Sequence, residues 1–166
     1  MGDKAPFARD ELTDLYHVLH ANYDSIREDY REIREEAWWW QKKGLFRDYV
    51  ANLLQRNKSL EGYLKRPGKL AKSIGALFEL ADREDIDALR NAYHRAILSY
   101  AQTYPDRIPL ATQVSGKYGG SEQAVLKVVD EAIEKGYLSS FPNKVRLTET
   151  GRKLADIIEN IEAAVK

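Results

Sequence analysis

The chain has 166 residues, 43% of them hydrophobic and 31% charged, with 26 basic and 26 acidic side chains and no cysteine. That is enough apolar material for a packed core, and the missing cysteines exclude disulfides, thiolate catalysis and the commonest structural zinc sites. No apolar run approaches the roughly 20 residues that span a bilayer, and the opening MGDKAPFARDEL has no signal-peptide core, so a soluble cytoplasmic chain without a membrane partner is expected.

The charge is unevenly spread. Residues 1–41 carry 5 basic and 10 acidic side chains; residues 42–72 carry 9 basic and 2 acidic ones. The basic middle either faces a polyanion or packs against the acidic first segment of its own chain.

Every seventh residue from Leu12 reads Leu12, Leu19, Ile26, Ile33, Trp40, and every seventh from Tyr16 reads Tyr16, Tyr23, Tyr30, Ala37. These two series alternate by steps of four and three, the a/d pattern of a coiled coil. No proline or glycine lies between Ala8 and Lys43, so the pattern predicts one helix over about 8–43, about 54 Å long. Such a seam needs a facing helix. Tyrosine at three a positions is too bulky for a tight parallel pair and needs polar partners for its hydroxyls. A homodimer is expected, held by Leu12, Tyr16, Leu19, Tyr23, Ile26, Tyr30, Ile33 and Trp40. In this frame Trp38 and Trp39 point away from the seam, where a helix junction, a small-molecule pocket or a base-stacking platform would cover them.

Gly44 is expected to end that helix. LFRDYVANLLQRNKSLEGYL then places Phe46, Val50, Leu53, Leu60 and Leu64 at helical spacing, KRPG makes a turn, and KLAKSIGALFELA gives a third amphipathic helix. Residues 1–83 thus read as a helical, dimerising domain.

From residue 84 the pattern changes. DALRNAYHRAILSYAQTYPD reads as a helix, IPLATQVSGKYG as a short helix, and SEQAVLKVVDEAIEK as a helix capped by Ser121 and closed at Gly136. YLSS and KVRL read as short strands around a turn, and Thr148 can cap a last helix. Helix, helix, turn, helix, hairpin, helix is the order of a winged helix-turn-helix. The fold class expected is mainly α: a helical domain with one long heptad-patterned helix, then a winged helix-turn-helix over 84–166 with a small β-hairpin.

GYLSSFPNKVRLTETGRKL also resembles the end of winged-helix repressors of the broad MarR and PadR kind, with Gly-Tyr-Leu, a wing, and Leu-Thr-x-x-Gly opening the next helix. The resemblance covers roughly residues 85–158. It implies that the helix from Ser121 enters the DNA major groove with its tip, presenting Ser121, Glu122, Gln123 and Lys127. Glutamine can bind adenine with two hydrogen bonds and glutamate can accept from cytosine. By the same resemblance Lys117 and Tyr118 reach phosphate, and Asn143, Lys144 and Arg146 of the wing lie along the backbone or minor groove. Against it, residues 121–135 sum to −2, with Asp130, Glu131 and Glu134 on the outer face, whereas affinity for DNA comes largely from neutralised phosphates.

His17, His20 and Asp24 have a spacing that could hold a metal but sit beside the seam, where polar residues are ordinary, and His94 reads as a partly buried helix residue. No nucleophile elbow, Walker loop or zinc-protease helix occurs. Neither enzyme activity, nor a metal, nor a cofactor is expected. The function expected is a homodimeric transcription regulator of double-stranded DNA; the alternative is a non-enzymatic adaptor docking a protein partner.

Overall fold

The computed structural model describes residues 6–36, 38–103, 110–140 and 145–165. In chain order the elements are α1 (Thr13–Ala21), α2 (Tyr23–Glu36), α3 (Trp39–Gln55), a 3-10 segment (Lys58–Lys65), α4 (Pro67–Leu80), α5 (Arg83–Leu89), α6 (Ala92–Thr103), α7 (Leu110–Tyr118), α8 (Glu122–Glu134), β1 (Leu138–Ser140), β2 (Val145–Leu147) and α9 (Glu149–Val165). The fold is mainly helical, with β1 and β2 paired antiparallel in the register Leu138–Leu147, Ser139–Arg146 and Ser140–Val145. Among the described residues no helix is long and apolar enough to cross a membrane.

Two compact units exchange their ends. The chain up to Thr13 joins Ala88–Asp156 in a hairpin unit, and Asp14–Asp87 joins Ile157–Lys166 in a helical unit. A single cut between residues 83 and 84 therefore does not describe the division. Polar groups at the start of the chain explain the first exchange. Asn91 Nδ2 donates to the Pro6 carbonyl (2.7 Å), Ala8 N donates to Asn91 Oδ1 (3.0 Å) and Ala92 N donates to the Ala8 carbonyl (2.9 Å).

In the helical unit much of the heptad stripe is buried, but not on one long helix. Regular helix gives way at Asn22 and Trp38 is extended, and Gly44 lies inside α3 instead of ending a helix. Tyr16, Leu19, Tyr23 and Ile26 are buried all the same. Their partners come from the same chain. Tyr23 stacks on Phe78 of α4 (centroids 5.4 Å apart), and Tyr30 meets Phe46 of α3 edge-on (4.8 Å). In a continuous helix residues 30 and 46 would be about 24 Å apart, so the chain must turn back before Phe46. Two of the three seam tyrosines also find hydroxyl partners within the unit: Arg27 Nη1 donates to Tyr23 Oη (2.6 Å), and Tyr30 Oη donates to Glu79 Oε1 (2.7 Å). Burial and the Glu79 carboxylate push the Tyr30 phenol up to about 12, which keeps it a donor. Gly75 makes room for this ring, because a Cβ there would lie 2.9 Å from Tyr30 Cε2.

The helix expected over DALRNAYHRAILSYAQTYPD is broken, its first residues ending α5 and α6 starting at Ala92. Asn91 interrupts it by accepting from Tyr93 N (3.0 Å), which caps α6. Ser121 Oγ accepts from Ala124 N (3.1 Å) and caps α8, and Gly136 (φ 83°) closes α8 in the left-handed region. Thr148 binds the hairpin to α9. Its hydroxyl accepts from Gly151 N (3.0 Å) and lies 2.5 and 3.1 Å from the Gly136 and Tyr137 carbonyls, while its N–H donates to the Tyr137 carbonyl (3.0 Å).

Candidate nucleic-acid interface

The tip of α8 is set by the turn before it. Gly119 and Gly120 both have positive φ (80° and 83°), and a Cβ on Gly120 would lie 2.6 Å from Tyr93 Oη, which itself donates to the Gly119 carbonyl (3.0 Å). Glycine is thus required twice for α7 and α8 to join here. Past the turn, Val125, Val128, Val129 and Ala132 are buried, and the opposite face is left to solvent.

The tip residues differ in what they can still do. Ser121, Glu122, Gln123 and Lys127 are all exposed. The Ser121 oxygen is occupied as the helix cap. The Glu122 carboxylate accepts from Thr112 Oγ1 (3.0 Å), which holds it toward α7. Gln123 has no hydrogen-bond partner among the described residues, so both ends of its amide are available. Lys117 lies exposed with Nζ 5.3 Å from the centroid of the Tyr118 ring. Tyr118 itself is half-buried, with its hydroxyl 3.4 Å from Asp10 Oδ2 and its ring edge-on to Tyr93 (6.1 Å). An internal carboxylate thus competes for the hydroxyl that the resemblance assigns to phosphate.

On the hairpin, Arg146 is exposed between the half-buried Val145 and Leu147, as alternation along a strand requires. Asn143 and Lys144 lie outside the described residues, as does the Trp40 side chain.

Leu126 is the residue that sequence reasoning passed over. It is 48% exposed, on the outer face of α8 with exposed Asp130. Its signal was its phase: one position after Val125, it falls about 100° off the buried stripe.

His94 is more buried than expected, at 1% exposure, with Nε2 3.3 Å from Glu131 Oε1 of α8. Burial lowers its pKa from the ordinary imidazole value, and the Glu131 carboxylate opposes that in part. The folded state therefore disfavours the imidazolium, while the unfolded chain takes up a proton near pH 6.5. Stability is accordingly unaffected by this group above about pH 6.5 and falls as the pH drops below it. Urea midpoints measured from pH 7.5 to 5 are expected to decline, and His94→Leu to flatten the decline. An unchanged slope in the variant removes His94 as its source.

The other sites are distributed as follows. His20 Nε2 faces Asp87 Oδ1 (3.7 Å), whereas Asp24 pairs with Arg83, whose guanidinium lowers the Asp24 pKa. Of the expected dimer seam, Leu12, Tyr16, Leu19, Tyr23 and Ile26 are buried within the chain, and Tyr30 and Ile33 are half-buried. The buried part of that stripe packs within the chain, while Tyr30 and Ile33 keep part of their surface in solvent. Trp38, extended before the start of α3 (φ −62°, ψ 149°), is 71% exposed, so nothing among the described residues covers it. No protein-family model, no curated protein and no solved structure matches the chain.

Proposed function

We propose that the chain is a regulator that binds double-stranded DNA, with the hairpin unit acting as a winged helix-turn-helix. The observation that carries this is the tip of α8: an exposed first turn after a two-glycine turn, with Gln123 uncommitted and Lys127 one turn on. A helix end of this kind fits the major groove, which a glutamine reads at an adenine edge. The order of elements from α6 to α9 and the Leu147-Thr148-x-x-Gly151 junction support the same assignment. Arg146 extends the surface along the backbone. A palindromic target calls for two copies; sedimentation of the full chain with its duplex gives the stoichiometry.

Selection from random duplexes at low and moderate salt tests this directly. A recovered consensus is expected, and Gln123→Ala should weaken binding to it by about 1–3 kcal/mol while relaxing preference at one base pair. Recovery of no consensus at either salt concentration would sink the proposal.

One observation favours a second reading. Exposed Leu126, with Asp130 and Glu134 on the exposed side of α8, is better matched to a protein partner than to phosphates. In that case α8 docks a protein through Leu126 and the chain is an adaptor, so Leu126→Ser leaves any DNA binding intact and abolishes the protein contact.

A further inference from the structure

Among the described residues, the basic middle of the chain forms no ion pair with the acidic first segment. Arg56, Lys58, Lys65, Arg66, Lys69 and Lys72 are all exposed, and none pairs with a described acid. Two acids of α2 pair elsewhere, Asp24 with Arg83 and Glu35 with Arg31, and Arg34 of α2 takes up Glu79 of α4.

Packing then gathers part of this charge on one line. α4 buries Leu70, Ile74, Leu77 and Phe78. What it leaves to solvent follows steps of three and four: Lys69, Lys72, Ala76, Glu79, with exposed Lys65 at the end of the 3-10 segment just before it. Arg66 sits beside Lys65. A second element adds to the line, because Arg47 of α3 passes the start of α4, its Cδ 3.7 Å from where a Cβ on Gly68 would be. The cations do nothing for the helix itself. The N-terminal turn of a helix favours acidic side chains; α4 has none there and carries Lys69 at its third position.

We propose that the ridge of Lys65, Arg66, Lys69 and Lys72, with Arg47 beside it, binds the phosphodiester backbone of double-stranded DNA. It supplies the sequence-independent affinity that the acidic outer face of α8 cannot. The choice of duplex DNA rests on the function proposed above; the choice of a polyanion rests on the ridge alone. Lys69 and Lys72 are about 4.5 Å apart along α4, over which a duplex presents about three phosphate charges. A lipid surface fits less well. Membrane-surface helices bury an apolar face in the bilayer, whereas the apolar face of α4 is already in the protein core. Among the described residues the exposed large hydrophobic side chains are Phe7, Trp38, Leu45 and Leu126, none of them on the ridge.

The test uses the full chain carrying Lys65→Gln, Arg66→Gln, Lys69→Gln and Lys72→Gln. Its binding to a random-sequence duplex of about 30 base pairs is followed by fluorescence anisotropy between 50 and 200 mM salt. Each phosphate that is no longer neutralised lowers the slope of log K against log salt by about 0.9, so the slope should fall by about 3 to 4. Affinity at 50 mM salt should fall at least tenfold. Lys69→Glu is expected to weaken duplex binding while melting no lower than the parent protein. Equal affinity and slope in the quadruple variant overturns the proposal, and so does a lower melting temperature for Lys69→Glu, which would make the ridge a device of the fold. Ridge-dependent binding to phosphatidylserine–phosphatidylcholine vesicles, with none to duplex, overturns it in favour of a membrane. The two proposals fail separately. Ridge-dependent duplex binding without a selected consensus upholds the ridge and sinks the α8 tip; a consensus bound with a slope indifferent to the ridge does the reverse.

Discussion

Gly151→Ala is expected to destabilise the hairpin unit by about 3 kcal/mol or more, among the largest effects of any single methyl group in this chain. Gly151 has no unusual backbone angle; what it needs is space. A Cβ there would lie 1.9 Å from the Tyr137 carbonyl oxygen, 2.9 Å from its carbon and 3.1 Å from Leu147 Cδ2. Carbon–oxygen contacts close at about 3.3 Å, so more than 1 Å must be found. The obstacle is backbone, and a rotamer change cannot relieve it. Moving Tyr137 would break its bond to Thr148 N and pull a side chain that is 1% exposed out of its site. Thr148→Val is the milder companion: it keeps the shape and removes the hydroxyl that caps α9, at about 1–2 kcal/mol. Urea unfolding of the three proteins followed by far-ultraviolet circular dichroism should rank them parent, Thr148→Val, Gly151→Ala. If Gly151→Ala unfolds within about 0.5 kcal/mol of the parent, this close packing does not exist in solution.

Asp10→Ala is expected to cost about 3–5 kcal/mol, because it strands a buried charge. Arg95 is 4% exposed, and its guanidinium reaches Asp10, Thr13 Oγ1 (3.1 Å) and the Leu89 carbonyl (2.5 Å). Asp10 is the carboxylate in that set. The same side chain accepts from Leu12 N (3.0 Å) at the approach to α1, and the Tyr118 hydroxyl is 3.4 Å away. Its loss therefore loosens the first segment from α6. The contrast is Arg31–Glu35, a pair at 3.2 Å whose side chains are 75% and 62% exposed; Arg31→Ala should cost only about 0.2–1 kcal/mol. Thermal or urea unfolding of both variants decides. Equal losses would mean that burial of Arg95 adds nothing to the pair, and the tie between the first segment and α6 would have to come from Asn91 instead.

Local signals in the sequence carried much of the architecture. Ser121, Gly136 and Thr148 mark the ends of α8 and the start of α9 because caps and left-handed closures are chemistry of a few adjacent residues. The strand segments emerged from their flanking turn residues for the same reason. The heptad stripe also marked which side chains are buried: Tyr16, Leu19, Tyr23 and Ile26 are inside. Gln123 and Arg146 could be named as exposed because the periods of helix and strand place them off the apolar stripe.

What the stripe packs against is not written in its period. A seam of tyrosine, leucine and isoleucine is satisfied equally by a second chain or by Phe46 and Phe78 of its own, and an intramolecular partner avoids the entropy of association. That choice turned one helix of about 8–43 into α1, α2 and the beginning of α3. Side-chain partnerships were equally out of reach: Tyr118 beside Asp10, Glu122 held by Thr112, and His94 sealed against Glu131 all join residues separated in sequence. Composition, capping and the side of each helix that turns inward were determined by the sequence alone, since they depend on neighbours within a turn or two. Which buried face meets which, and therefore which charges stay free on the α4 ridge, was decided only in the tertiary structure, because contacts between distant residues depend on how the chain reverses between them.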